Sequence, residues 1–283
     1  MFIYRILLRF FSVFLPDKAI INIKYKLVFH RKLNLKHPET FNEKLHWLRF
    51  YGYQELWRTL ADKYAVREYV KEKIGEKYLI PLIQVYHDPA VIDFNELPSS
   101  FVFKLAHGSG WNIICTNKHK LNIEECIHQL SIWQKSDYYR LGREKQYKGI
   151  PPRILCEQFI GEQGEVPADY KFFCFNGQPH FIQVDISRFK NHRRIIYDTK
   201  WNRLPIRYCF SNEAEDIACP DNLQEMLEIA QKLSDGQSFV RVDLYSVNHR
   251  IYFGELTLTP GNGFEVFTPE EIDREWGKFI NIN

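Results

Sequence analysis

The 283-residue chain contains no run of about 20 apolar residues, the length a bilayer-crossing helix requires. It has no Cys-x-x-Cys pair. Cys115, Cys126, Cys156, Cys174, Cys209 and Cys219 stand apart, which excludes zinc-finger and dithiol frameworks and suits buried thiols in a reducing cytoplasm. A large charge of either sign is missing too: a net charge of +3 without a long basic run argues against nucleic acid as a partner. There is no Gly-x-x-x-x-Gly-Lys-Ser/Thr loop, so a Walker-type phosphate site is excluded. No Asp-x-Asp triplet, no Ser-His-Asp or Cys-His set and no internal repeat is evident. What remains is 45% hydrophobic and 26% charged residues, enough for a sizeable core in one large or two modest domains. The aromatic share of 16% suits either that core or a surface that grips flat or sugar-like ligands.

The most informative stretch lies late in the chain. In Phe239–Tyr245, Phe239, Arg241, Asp243 and Tyr245 alternate with Val240, Val242 and Leu244, the period of a strand. A second run, Tyr252–Thr259, alternates Phe253, Glu255, Thr257 and Thr259 against Gly254, Leu256 and Leu258. Ser246–Arg250 is a polar connector suited to a hairpin. Pairing would put Asp243 opposite Glu255 and Thr257. Two carboxylates about 4 Å apart repel by about 4 kcal/mol at an effective dielectric of 20. Either Arg241 neutralises them as a structural pair, or a divalent cation does. All-oxygen ligands favour Mg²⁺ or Mn²⁺, which then takes substrate phosphates as further ligands.

Phe101–Trp111 is an apolar strand carrying Lys104, followed by the small-residue loop His107-Gly108-Ser109-Gly110. A lysine in so apolar a strand needs an anion, and a glycine loop lets backbone N–H groups approach phosphate oxygens. A strand end with a flexible turn would produce the same pattern. Arg188, Lys190, Arg193 and Arg194 form the densest basic cluster, readable as phosphate ligands or as a solvated loop. Residues 1–15 are apolar with Arg5 and Arg9 on one stripe, which suits an in-plane helix on an anionic membrane or a helix packed on protein. His37–Leu48 starts a helix with Thr40 or Asn42 as cap and Phe41, Leu45 and Leu48 at helical spacing. Ser136–Ile150 is polar, basic and rich in tyrosine, as in a lid, an acceptor-binding loop or a surface helix.

The order Arg-x-Asp at 241–243, then Glu-x-Thr-x-Thr-Pro-Gly at 255–261, resembles the metal-binding end of the ATP-grasp superfamily. It is most similar to the TupA-like branch, named for teichuronopeptide biosynthesis and found with bacterial surface-polysaccharide genes. Most ATP-grasp enzymes have Asn where this chain has Thr257. The resemblance spans roughly residues 41–279, including the Thr-Phe-Asn-Glu-Lys pattern at 40–44 and Asp-Lys-x-x-x-Arg at 62–67. It implies an α+β fold in which two lobes with antiparallel sheets grip ATP, preceded by an N-terminal helical segment. The expected division is 1–60 N-terminal segment, 61–100 N-terminal subdomain, 101–156 central subdomain with the glycine loop, and 157–283 C-terminal lobe.

The resemblance further implies Asp243, Glu255 and Thr257 as metal ligands. It implies Lys104 and the loop His107, Gly108, Ser109 and Gly110 on the ATP phosphates. Glu157 with Gln158, Phe159 and Ile160 would read the adenine, and Asp169 the ribose. Lys171, Arg188 and Arg194 would hold phosphate or acyl oxygens, and Arg241 a developing oxyanion. The implied activity is an ATP-dependent carboxylate–amine ligase working through an acyl phosphate. Its substrates would be an amino acid or amine and a sugar carboxylate, and its location the cytoplasm, with a peripheral membrane contact through residues 1–15. A kinase on the same fold, a glycosyltransferase and a non-catalytic assembly protein are the competing readings.

Overall fold

The computed structural model describes residues 15–162, 164–186 and 192–282. The helices are α1 (Asp17–Phe29), α2 (Phe41–Tyr51), α3 (Leu56–Ala61), α4 (Val66–Ile74), α5 (Ile123–Lys135), α6 (Tyr138–Gly142), α7 (Leu223–Ser234) and α8 (Glu271–Gly277). The strands are β1 (Leu82–Tyr86), β2 (Phe101–Leu105), β3 (Asn112–Cys115), β4 (Ile154–Gln158), β5 (Asp169–Phe175), β6 (Gln178–Ile186), β7 (Arg193–Asp198), β8 (Arg207–Tyr208), β9 (Phe239–Val247), β10 (Arg250–Thr257) and β11 (Phe267–Thr268). They make a four-stranded antiparallel sheet, β1-β4-β2-β3, and a five-stranded antiparallel sheet, β10-β9-β5-β6-β7. The remaining pair, β8 and β11, forms a separate two-stranded ribbon.

The late hairpin turns through Asn248 and His249, both left-handed with φ of 51° and 59°. Two such residues suit the right-handed twist of the flanking strands. A bulge at Gly254 alters the expected alternation. Phe253 pairs with Leu244 and Glu255 with Asp243, so one extra residue sits between them. Phe253 therefore joins the core with Leu256, while Glu255 stays on the polar face. A Cβ at Gly254 would lie 3.0 Å from the Asp243 carbonyl oxygen, so the bulge favours glycine.

α2 starts with a capping box, Thr40 and Glu43 each bonding the other's backbone. Its Phe41, Leu45 and Leu48 belong to the core under the five-stranded sheet, together with Trp57, Leu60, Phe173 and Trp276. The N-terminal segment is thus not set apart at residue 60. Nor do the breaks expected at 100 and 156 separate units, since β1 shares a sheet with β2, β3 and β4, and β4 runs on to Gln158. The smaller sheet has its own core around Phe101, Phe103, Cys126 and Leu130. No helix among the described residues is long and apolar enough to cross a membrane. Residues 1–14, Arg188 and Lys190 lie outside the described residues.

Candidate active site

The two larger sheets face each other across a cavity of about 760 Å³. The five-stranded sheet forms its floor. Arg241 Nε and Nη2 donate to Asp243 Oδ1 and Oδ2 at 2.7 and 2.6 Å. The same Nη2 donates to Thr257 Oγ1 at 3.0 Å and to Glu255 Oε1 at 3.4 Å, and Thr257 Oγ1 donates to Glu255 Oε1 at 3.1 Å. Burial pushes the Asp243 carboxyl up to about 6, against the pull of Arg241 and Lys171. Burial would raise Glu255 as well, but Lys63, Arg241 and Lys171 hold it down to about 2.

Three oxygens, from Asp243, Glu255 and Thr257, surround one cationic nitrogen. They are an all-oxygen donor set of the kind a hard divalent ion such as Mg²⁺ takes, but Arg241 Nη2 occupies the point on which they converge, so an ion there would take the guanidinium's place. Among the described residues no group of three or more His, Cys, Asp or Glu could hold a metal. Only two of these donors are carboxylates, so an ion here would complete its shell with water and phosphate oxygens.

Beside this hairpin lies a second charged group that the sequence reading captured only in part. Lys171 Nζ sits 2.7 Å from Asp185 Oδ2 and 3.3 Å from Asp169 Oδ2. Arg194 donates from Nε to Asp185 Oδ1 at 2.8 Å and from Nη1 to Glu265 Oε1 at 3.0 Å. His192 Nε2 is 3.0 Å from the same Asp185 oxygen. Burial alone would raise Asp185, yet Lys171 and Arg194 hold its carboxyl well below the usual range. Asp169, Lys171 and Arg194 all line the cavity, and Lys171 and Arg194 are organised around Asp185, which was missed. The signal was present: Phe-Ile-Gln-Val-Asp-Ile is an apolar strand with one acid, the mirror image of the argument made for Lys104.

The four-stranded sheet forms the roof. Lys104 Nζ contacts Glu157 Oε2 at 2.7 Å, and Arg67 Nη1 holds the other oxygen at 3.1 Å. Lys63, also missed, lines the cavity on the roof side, its backbone N–H donating to the Ala106 carbonyl and its Nζ to the Gly108 carbonyl. Burial lowers its pKa, opposed by the nearby Glu255. Ser109 and Gly110 line the cavity as the loop reading expects. His107 does not: its Nε2 meets the Trp133 carbonyl at 3.1 Å and its ring packs edge-on against Trp111, a structural role. Gln158 donates its backbone N–H to Pro81, and neither it nor Phe159 nor Ile160 is among the cavity-lining residues. Glu157 reaches instead a small inner recess shared with Lys63, Arg67 and Lys104. The stretch 138–147 closes one end of the cavity with Tyr138, Glu144 and Tyr147, and Glu144 accepts from the Thr259 hydroxyl.

Two antiparallel sheets closing on a cavity, with cations on one wall and paired acids on the other, define an ATP-grasp protein. The chain belongs to the TupA-like ATP-grasp family, whose model matches residues 43–281. No protein of curated function matches it. Among solved structures, it is similar to D-alanine–D-alanine ligase from Bacillus anthracis complexed with ATP, at 14% identity over 71% of this chain and 54% of that one, TM-score 0.41. It is also similar to D-alanine–D-alanine ligase from Helicobacter pylori, at 16% identity over 85% and 69%, TM-score 0.43. A third is the ATP-grasp ligase PsnB complexed with minimal precursor, at 9% identity over 72% and 53%, TM-score 0.40. The chain spans about half the length of the first of these.

Proposed function

We propose that the protein is an ATP-dependent carboxylate–amine ligase, joining an amino acid or amine to a sugar carboxylate in bacterial surface-polysaccharide assembly. The observation that carries the reading is the convergence of Asp243, Glu255 and Thr257 on one cationic point, with Lys63 and Lys104 on the opposite wall. Family membership supports the use of ATP, and the family's name supports the polysaccharide setting.

In this reading Asp243, Glu255 and Thr257 hold Mg²⁺, which when bound supplies positive charge to the phosphates and to the departing ADP. Lys63, Lys104 and the N–H groups of the 108–110 loop cradle the phosphates. Glu157 borders the nucleotide and Asp169 its ribose. Lys171, Arg194 and Arg188 screen the incoming carboxylate from the phosphate charge. A carboxylate oxygen attacks the γ-phosphorus and the bond to ADP breaks. An amine nitrogen then attacks the acyl carbon, phosphate leaves, and the nitrogen loses its proton to solvent. Arg241 stabilises the oxyanion formed at that carbon. Catalysis is positioning and electrostatics throughout, which is why no nucleophile triad is needed.

The six free cysteines suit the cytoplasm. A peripheral contact with the inner membrane face is supported by residues 1–15 and by exposed Ile23, Leu27 and Val28 on α1 beside Lys26. The test is ADP and phosphate formation from Mg²⁺–ATP against panels of amino acids and uronic acids, with mass spectrometry for an amide. A phosphorylated sugar with ADP and no amide would replace the ligase by a kinase. No nucleotide turnover with any acceptor would remove the reading.

A further inference from the structure

One face of α2 carries Asn42, His46 and Arg49, polar side chains at helical spacing i, i+4 and i+7. Their exposures are 0, 0 and 4%, where apolar residues would be cheaper. Each binds a carbonyl of one irregular segment, in reverse order. Asn42 Nδ2 donates to the Glu265 carbonyl at 3.1 Å. His46 Nε2 meets the Gly263 carbonyl at 3.0 Å. Arg49 Nη2 donates to the Asn262 carbonyl at 3.0 Å and also to the Asn262 side-chain oxygen. Because burial and Arg49 keep His46 neutral, its Nε2 must carry the proton that a carbonyl partner requires.

The segment so held is the loop that leaves the Asp243–Glu255 hairpin. Gly261, Asn262 and Gly263 are consecutive left-handed residues, with φ of 54°, 58° and 74°, a conformation with no ladder of its own. The fit is close: a Cβ on Gly263 would stand 2.9 Å from His46 Nε2. The loop's other side faces the cavity through Gly261 and Asn262. Asn262 Nδ2 donates onward to the Gly142 carbonyl at 2.9 Å, so the same clamp reaches α6 at the closed end.

We propose that Asn42, His46 and Arg49 are positioning residues that set the wall against which the second, non-nucleotide substrate is held. Lys104 reaches the cavity from β2 on the roof, whereas Gly261 and Asn262 follow Thr257 in the chain and line the cavity with Gly142. The inference rests on the ligase reading and gives the helix that opens with Thr-Phe-Asn-Glu-Lys at 40–44 a part in holding the site.

The test compares Arg49→Met, Arg49→Lys and His46→Gln, the last keeping a side-chain N–H for Gly263. Hydrogen exchange over residues 259–265 is read alongside the Mg²⁺–ATP melting shift and the kinetics of ADP formation. Arg49→Met should exchange about 10-fold faster in that segment, with β9 and β10 unchanged and the melting shift retained. Its kcat should fall roughly 10- to 100-fold with KM for ATP unchanged, the cost of a misplaced second substrate. His46→Gln, which keeps a donor for Gly263 but not the ring's close fit, should exchange at a rate between wild type and Arg49→Met over the same segment. Unchanged loop exchange in Arg49→Met, or faster exchange spread over the whole sheet, overturns the inference. If Arg49→Met does not fold, Arg49→Lys carries the same readings. A wild-type protein that forms no ADP defeats the ligase reading instead, and the exchange data still decide whether α2 holds the loop.

Discussion

On the floor of the cavity Asp169, Asp185, Asp243 and Glu255 each have a cation within 3.4 Å. On the roof one acid, Glu157, is shared by Lys104 and Arg67, and Lys63 donates to the Gly108 carbonyl with Glu255 nearby. The four floor acids share three cations, Lys171, Arg194 and Arg241, and lie where a divalent ion can be held. The roof has positive charge to spare, and a polyphosphate is what it lacks. The contrast teaches that nucleotide affinity and metal dependence are expected to reside on different sheets and to respond to different substitutions.

Glu255→Gln and Asp243→Asn attack the floor, and the largest effect is expected there. Each should lower ADP formation roughly 10³-fold, the scale of losing a key electrostatic partner, with the far-ultraviolet circular dichroism unchanged. Turnover close to wild type in either would break the contrast by showing that the floor holds no metal. Lys63→Met attacks the roof and should raise KM for ATP roughly 10- to 100-fold, as for one lost charge-assisted bond. An unchanged KM would move the phosphates elsewhere.

Between these lies Arg241→Met. Without the guanidinium, Asp243 and Glu255 keep only Lys63 and Lys171 for compensation, so the metal-free protein should melt several degrees lower. Added Mg²⁺ should restore much of that loss; if it restores nothing, the two acids do not share a cation.

The smallest effect sharpens the contrast from beneath the floor. Asp273 accepts from Asn42 N and Nδ2 at 3.0 Å, and burial raises it to about 6. A folded value above the unfolded one means its stabilising contribution is full below about pH 4 and is lost as pH rises through about 6. The melting temperature of wild type relative to Asp273→Asn should therefore fall between pH 4 and 6.5. A difference that does not vary with pH would contradict this.

The late hairpin was legible because strand periodicity and a polar connector are local signals. The flip of Phe253 was not, since a bulge depends on how two strands meet at Gly254. Lys104 was legible as a charge in an apolar strand, and Asp185 carried the same signal unread. Lys63 was hidden because a lysine at the start of a helical stretch looks solvated until the fold turns it inward. His107 shows the opposite failure: a residue beside a glycine loop was credited with the loop's chemistry, while its ring is committed to Trp111 and Trp133. That β1 shares a sheet with β2, β3 and β4 was not legible, because sheets are assembled from strands distant in sequence.

The central claim is that ATP binds between the two sheets with an ion held by Asp243 and Glu255. Calorimetric titration of ATP into wild type and Glu255→Gln, each with and without Mg²⁺, tests it most directly. The account predicts that wild type binds tightly only with Mg²⁺ and that Glu255→Gln loses the Mg²⁺-dependent part. Equal affinity with and without Mg²⁺, or no ATP binding at all, would contradict it.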